Sequence, residues 1–412
     1  AAKARRKTGA RRRCTLIPLN GTTGGNKIKG ERRPVRSTRA IIDLGQLRAN
    51  IASIRRYVTA NQGFTAPKIC LAVKADAYGH GIEAVAGAAR DEGVEYLAVA
   101  TVDEGLAVRT EGIDGSTKIL LYSLPHPREF PEIIAHDITP MVCDIEFADR
   151  LARAVADSSR TKALPVHLKV DTGMGRIGCA PEALPHLIES VVSRRELRLE
   201  GISTHFAAAD EDMEFTRLQL ERFEQAMAQV RAKQPELVDH IEVHASNSAG
   251  LAIAGAGFTM VRPGIAAYGY PPTALPDLQP VMQLRSELVF IKRVGPGTSI
   301  SYGRTHITKN ETHIGTVPIG YGDGYFRALS NQAWVAVGGE QYPVVGRVCM
   351  DQLMIDLGPT LKARRYDEVV LFDGKGIAPT AAQLADLAGT ISYEITCAIS
   401  KRVPRVYVGR EE

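Results

Sequence analysis

The chain has 412 residues, 44% of them apolar and 24% charged, which is the make-up of an ordinary globular protein large enough for two cores. Its net charge of +5 is unevenly placed: residues 1–36 hold twelve Lys and Arg against the single acid Glu31, so the remainder is acidic at −6. A mildly acidic body excludes a nucleic-acid enzyme, no run of about 18 apolar residues suggests a membrane span, and six scattered cysteines without a Cys-x-x-Cys pair indicate neither a disulfide framework nor a zinc site.

Residues 1–38 read as a disordered basic extension, because the stretch is rich in Gly, Thr and Arg and has no apolar core. Its Arg-rich, acid-poor character is also that of an organellar transit peptide, or of an upstream-extended or truncated reading. The expected location is cytoplasmic, with an organelle as the alternative. From Arg39 the pattern becomes regular. Residues 40–44 are strand-like, and Leu47, Ile51, Ile54 and Val58 follow at helical spacing.

Eight short apolar runs come next, at 69–73, 96–100, 118–122, 138–142, 166–170, 199–203, 241–245 and 258–262. Stretches long enough for a helix separate them; in 216–233, Leu220, Phe223, Met227 and Val230 share one face. The alternation predicts an α/β chain with a (β/α)₈ TIM-type barrel over 39–275. Four prolines between 271 and 280 then mark a linker. Beyond it, runs at 283–293, 312–318, 333–337, 344–348, 353–357 and 368–372 predict a mostly antiparallel β domain over 276–412, with one helix at 381–388.

In such a barrel the site forms where strands end and enter their following loops. The unusual polar residues fall there: Lys74 after the first run, Lys169 to Arg176 at the fifth, Thr204-His205-Phe206 at the sixth, Asn247-Ser248 after the seventh and Arg262-Pro263-Gly264 at the eighth. A strand-end lysine before Tyr-Gly-His-Gly reads either as a snorkelling surface residue or as a lysine that uses its amine chemically. Ser248, Gly264 and Ile265 lie in the loops that commonly bind phosphate in barrels, and Tyr78 could reach the same group. A phosphate site beside a strand-end lysine points to pyridoxal phosphate with Lys74 as its Schiff-base partner.

The chain resembles the alanine racemases over 39–408. The motifs that carry the resemblance are Ala-Val-Lys-Ala-Asp-Ala-Tyr-Gly-His-Gly (72–81), Lys-Val-Asp-Thr-Gly-Met-Gly-Arg (169–176), Thr-His-Phe-Ala (204–207), Arg-Pro-Gly-Ile (262–265), Ser-Tyr-Gly-Arg-Thr (301–305), Gly-Tyr-Gly-Asp-Gly (320–324), Gly-Arg-Val-Cys-Met-Asp-Gln (346–352) and Ile-Ser-Tyr-Glu (391–394). The resemblance implies a homodimeric, pyridoxal-phosphate-dependent enzyme that interconverts L- and D-alanine for D-alanine biosynthesis and peptidoglycan precursors. It implies Lys74 as cofactor lysine and base on one face of Cα. Tyr302, reaching the partner subunit's cofactor, would be the base on the other face.

A phenol is a poor base at neutral pH, so a nearby cation is needed, and the resemblance suggests His205 with Arg176. It places Arg262 against the pyridine nitrogen and Lys169 as a candidate carbamylated lysine orienting Arg176. Met350 and Asp351 would meet the substrate carboxylate, and Tyr321 and Tyr393 the entrance and phosphate region. Arg327 and Arg347 resemble access-corridor arginines. Asp76 stands where Asn is frequent and Gly322 where Ala is frequent. A broad-specificity amino-acid racemase shares this machinery. A decarboxylase would carry an acid in place of Arg262, and a non-catalytic pyridoxal-phosphate protein would lack the β domain.

Overall fold

The computed structural model describes residues 35–61, 67–110, 116–253, 255–275, 277–374 and 376–409. The expected basic extension therefore lies outside the described residues up to position 34. Its last residues do not fit that expectation. Arg36 forms a two-pronged ion pair with the fully buried Asp323, at 2.6 and 2.7 Å, and the Thr38 hydroxyl is buried against Ser286 and the Pro318 carbonyl. Residues 36–412 make one compact unit.

The first strand, β1 (Arg39–Asp43), precedes a helix (Leu44–Asn61) that buries Leu47, Ile51, Ile54 and Val58, as its spacing predicts. Eight parallel strands then form one sheet: β2 (Lys68–Ala72), β3 (Tyr96–Val99), β4 (Lys118–Leu121), β5 (Ile138–Val142), β6 (Leu164–Lys169), β7 (Leu197–Ser203), β8 (Glu242–His244) and β9 (Met260–Val261). Each lies within two residues of a predicted run at both ends. Ile69, Cys70, Leu71, Leu97, Ile119 and Leu120 are fully buried, because helices cover one face of a parallel barrel and its packed interior the other. The ring closes when β9 pairs with β2 and the Thr259 N–H donates to the Val243 carbonyl at 3.0 Å.

The second domain is built on a six-stranded sheet in the order β16-β15-β18-β10-β1-β19, where β10 is Met282–Glu287, β15 Trp334–Val337, β16 Glu340–Pro343, β18 Glu368–Phe372 and β19 Arg405–Val408. A three-stranded sheet joins β11 (Phe290–Val294), β14 (Thr312–Val317) and β17 (Leu353–Asp356), and a two-stranded ribbon joins β12 (Ser299–Ile300) and β13 (His306–Ile307). All of these pairings are antiparallel except β1 with β19, so the fold class is as predicted.

Three assignments change. The strand at 40–44 belongs to the β domain, between β10 and β19, and not to the barrel. The single strand expected over 283–293 is two, β10 and β11, because the chain leaves the first sheet at the fully buried Leu288 and enters the second. The strand expected at 344–348 sits earlier, at β16, and only Val344 of that run makes a ladder contact, with Ile355. The helix Ala381–Ala388 is where expected, capped by Thr380 and Gln383 at its start and by Gly389 in the left-handed region at its end.

Gly201, where β7 runs past β6 at a register shift, shows how tightly the barrel is filled: a Cβ there would lie 2.5 Å from the His167 ring and 2.8 Å from the Glu242 carbonyl. Gly201→Ala is therefore expected to lower unfolding stability by about 1–3 kcal/mol through overpacking, read as a shift of the urea midpoint at constant slope.

Candidate active site

A 590 Å³ cavity opens at the carboxyl ends of the barrel strands. Of the residues singled out in the sequence, Lys74, Tyr78, Lys169, Arg176, His205, Ser248, Arg262, Gly264 and Tyr393 all line it. Ile265 is fully buried directly behind Gly264. Tyr302, Met350 and Asp351 line a separate surface concavity with Ser301, Cys349 and Gln352. Tyr302 is 72% exposed there, and Tyr321 is exposed as well. The Asp351 carboxylate accepts from Arg402 at 2.6 Å.

Lys74 follows β2 by two residues and begins an unusual turn. Ala75, Asp76, Ala77 and Tyr78 all have φ between 52 and 54°, a left-handed helical turn made by residues with side chains, and Gly79 continues it at φ 82°. Four successive residues with positive φ mark a constrained site. The turn brings Tyr78 back over the cavity, where its ring lies 5.2 Å from Tyr268 and 5.8 Å from Tyr393. Burial and then Arg176 lower the Lys74 pKa, with Glu104 opposing, so its amine gives up a proton more easily than a surface lysine.

Arg262 is buried, and its guanidinium donates to the carbonyls of Thr204 (2.9 Å) and Ala245 (2.8 Å), to His244 Nδ1 (2.8 Å) and to His205 Nδ1 (3.2 Å). A guanidinium can only donate, so both Nδ1 atoms are acceptors and both imidazoles carry their proton on Nε2. His244 Nε2–H therefore donates to His167 Nδ1 at 2.9 Å, and His167 Nε2 faces Glu200 at 3.9 Å. A fixed hydrogen-bonded line thus runs from the cavity floor down the barrel interior.

Burial first, then Lys169, Arg262, Arg176 and Lys74, hold His205 well below its ordinary pKa. The His205 imidazole is accordingly driven towards its neutral form, beside the permanent cation Arg176. Lys169 is also held well below its usual value, by burial and then by Arg262 and Arg176.

On the opposite wall, the N–H groups of Gly264 (2.8 Å) and Ala266 (3.3 Å) converge on the Ser248 hydroxyl. A Cβ on Gly264 would lie 2.7 Å from the Tyr78 hydroxyl, so glycine keeps this cradle open. Backbone donors, two hydroxyls and several cations suit a phosphate, and a partly desolvated lysine suits an aldehyde, so the residues present fit pyridoxal phosphate. The described residues include no metal-binding cluster of His, Cys, Asp and Glu.

Sequence reasoning overlooked Tyr122, Met141 and Asp210, which also line the cavity, and His167 and His244 beneath it. His244 ends the seventh strand and Tyr122 follows the third, so the strand-end rule that picked out Lys74 could have found both.

Residues 42–272 match the family model of the alanine racemase N-terminal domain, and residues 281–407 that of the alanine racemase C-terminal domain. The chain is 43% identical to the alanine racemase of Treponema denticola over 389 residues, covering 91% of this chain and 99% of the relative. Among solved structures it is similar to an alanine racemase from Clostridium difficile 630, with a TM-score of 0.83 at 37% identity over 91% of this chain and 97% of the other. It is also similar to the alanine racemase of Bacillus anthracis with bound L-Ala-P, with a TM-score of 0.82 at 35% identity over 92% of this chain and 97% of the other.

The buried histidines set an acid limit on stability. Burial lowers His80 to about 4 and His167 to about 3, and holds His205 and His244 well below 6.5. A depressed folded pKa means that this stability is complete above pH about 6.5 and is lost as the pH falls towards the folded values, at up to roughly 1.4 kcal/mol per unit per histidine. Glu200 and Asp171, also lowered, add the same sign of dependence only nearer their own carboxylate range. Urea midpoints should therefore fall steeply as the pH drops from about 6.5 to 4.5.

Proposed function

Because the chain belongs to the alanine racemase family, we infer that it interconverts L- and D-alanine with pyridoxal phosphate as cofactor. The observation that carries this reading is the cavity itself, where Lys74, Arg262 and the Ser248–Gly264 cradle converge at the ends of three barrel strands. Bound there, pyridoxal phosphate supplies an electron sink that makes the Cα proton of an amino acid removable.

The residues divide the remaining work. Ser248, the Gly264 N–H and Tyr78 hold the phosphate, with Tyr393 beside them. Arg262 would face the pyridine nitrogen and, as a guanidinium, could only donate to it, which would limit how far the ring withdraws electrons and favour prompt return of the proton to Cα. Lys74 Nζ takes or returns that proton on one face. The other face requires a second base, since one residue cannot easily occupy both sides.

Tyr302 of the partner subunit is that base in our reading, with the cation Arg176 poised to favour its phenolate. Its exposure, and its placement with Met350 and Asp351 in a concavity apart from Lys74, support a homodimer with a shared site. Met350, Asp351 and Tyr321 then approach the substrate side of the partner's cavity. Lys169, whose amine is driven towards its neutral form, is suited to carbamylation, which would place an anion beside Arg176 and Arg262. The five described cysteines are all free, which fits a reducing, cytoplasmic setting, and among the described residues no helix is long and apolar enough to cross a membrane. D-alanine for peptidoglycan precursors is the product role that this reading assigns.

Two measurements test it. Lys74→Ala should abolish the visible absorbance that pyridoxal phosphate gives in the unaltered protein, and a retained band removes Lys74 as its partner. Mixing Lys74→Ala with Tyr302→Phe chains under conditions that exchange subunits should restore racemase activity well above that of either variant alone. Mixed dimers no more active than the better parent would show that each chain uses its own tyrosine.

A further inference from the structure

The left-handed turn at Ala75–Tyr78 is fastened from three sides. Glu104 accepts the Ala75 N–H at 2.6 Å and the Ala100 N–H at 2.8 Å, tying the turn to the end of β3. The Asp76 carboxylate accepts the Ile82 N–H at 2.9 Å and closes the turn onto the following helix. The third fastening comes from the far end of the chain.

Arg405 opens β19. Its Nε and one terminal nitrogen donate to the Gly79 carbonyl at 3.1 and 3.0 Å. Among the described residues no other donor reaches that carbonyl, and Gly79 is buried. The same guanidinium donates to the carbonyls of Ile399 (2.6 Å), Ser400 (2.7 Å) and Val403 (2.9 Å). One cation thus gathers carbonyls from the lysine turn of the barrel and from the segment leading into the last strand. The two segments touch: a Cβ on Gly79 would lie 2.1 Å from the Thr396 carbonyl. A buried carbonyl that loses its donor must find another or move towards water, and the turn that carries Gly79 is the element able to move.

We propose that Arg405 is a positioning residue for Lys74: it pins the left-handed turn through the Gly79 carbonyl, so that the aim of the lysine depends on the β domain being docked. This rests on Lys74 being the cofactor lysine. Asp76, which stands where the family frequently has Asn, adds a negative charge that favours the Arg405 cation and strengthens the arrangement in this chain. Removing the guanidinium frees the turn, and Tyr78 with it, but leaves the Ser248–Gly264 contact in place, so cofactor binding should weaken less than the alignment of the lysine.

The test compares the full chain with Arg405→Met and Arg405→Lys, using hydrogen exchange without cofactor and kinetics with it. In Arg405→Met, amides of residues 77–81 should exchange at least about tenfold faster while those of β1 and β10 keep their protection. With pyridoxal phosphate added, kcat should fall roughly tenfold to a hundredfold and KM for alanine should change by less than about twofold. Arg405→Lys keeps the charge and stem but cannot reach four carbonyls at once, so it should fall between the two; it also serves if the Met variant does not fold.

Unchanged exchange at 77–81, or equal loosening of the turn and of β1 and β10, would mean that Arg405 only joins the domains and would overturn the proposal. So would a loss confined to KM. If the unaltered chain itself shows no visible band with pyridoxal phosphate, it is the lysine assignment that fails, and the positioning role fails with it.

Discussion

A four-residue left-handed turn is the constraint to which the rest of this structure answers. At roughly 1–2 kcal/mol per residue, Ala75, Asp76, Ala77 and Tyr78 store on the order of 4–8 kcal/mol of backbone strain, comparable to the whole stability of many domains. Only surroundings that over-determine the conformation can hold it. The barrel contributes Glu104 and the tyrosine packing on Tyr78, while the β domain contributes Arg405 and the close approach of Thr396. The placement of β1 has the same logic. From β1 in the β domain the chain crosses to the barrel and returns, so that β1 and β19, the first and last of the described strands, lie side by side in one sheet.

Charge is the second organising factor. Lys74, Lys169, Arg176 and Arg262 face one cavity, while Asp210 and Glu211 are the acids that line it among the described residues. Such a surplus of positive charge is unfavourable in a partly desolvated site and is relieved in two ways. The titratable groups shed protons, as the lowered pKa values of Lys74, Lys169 and His205 show. In the proposed reading anionic ligands would do the rest, a cofactor phosphate and a substrate carboxylate completing the charge balance that the protein alone leaves open. Arg262 is held among acceptors, its two terminal nitrogens donating to backbone carbonyls and imidazole nitrogens.

Much of this was legible in the sequence because barrel strands are continuous apolar runs and barrel chemistry sits where those runs end. Lys74, Lys169, His205, Ser248 and Arg262 could each be placed in one cavity by that rule. The failures are those of local pattern. Residues 40–44 read as a strand equally well in either domain, since pairing partners 240 and 360 residues away leave no local mark. Leu288 is apolar like its neighbours, so nothing announced that the chain changes sheets there. The turn after Lys74 was invisible because left-handed backbone is read from glycine, and here Ala, Asp and Tyr adopt it. The lowered pKa of His205 left no local mark because it depends on burial and on neighbours contributed by three other strands.

The two residues proposed to exchange protons with Cα share a feature that pattern reading could not supply. Lys74 precedes its left-handed turn, and Tyr302 is set between Ser301 at φ 62° and the pair Gly303 and Arg304 at φ 69 and 51°. Of the two strained stretches, one is on the barrel and one on an exposed corner of the β domain. The Ser301 hydroxyl donates to the Arg347 carbonyl at 2.6 Å, so the Tyr302 corner is fastened to the segment that carries Cys349, Met350 and Asp351. Strain at an exposed corner is worth keeping only if its side chain must be presented in a fixed direction. In the shared site proposed above, a tyrosine held rigidly outward would serve the partner's lysine. Two fixed turns on different subunits would then set the distance across which a proton is removed from one face of Cα and returned to the other.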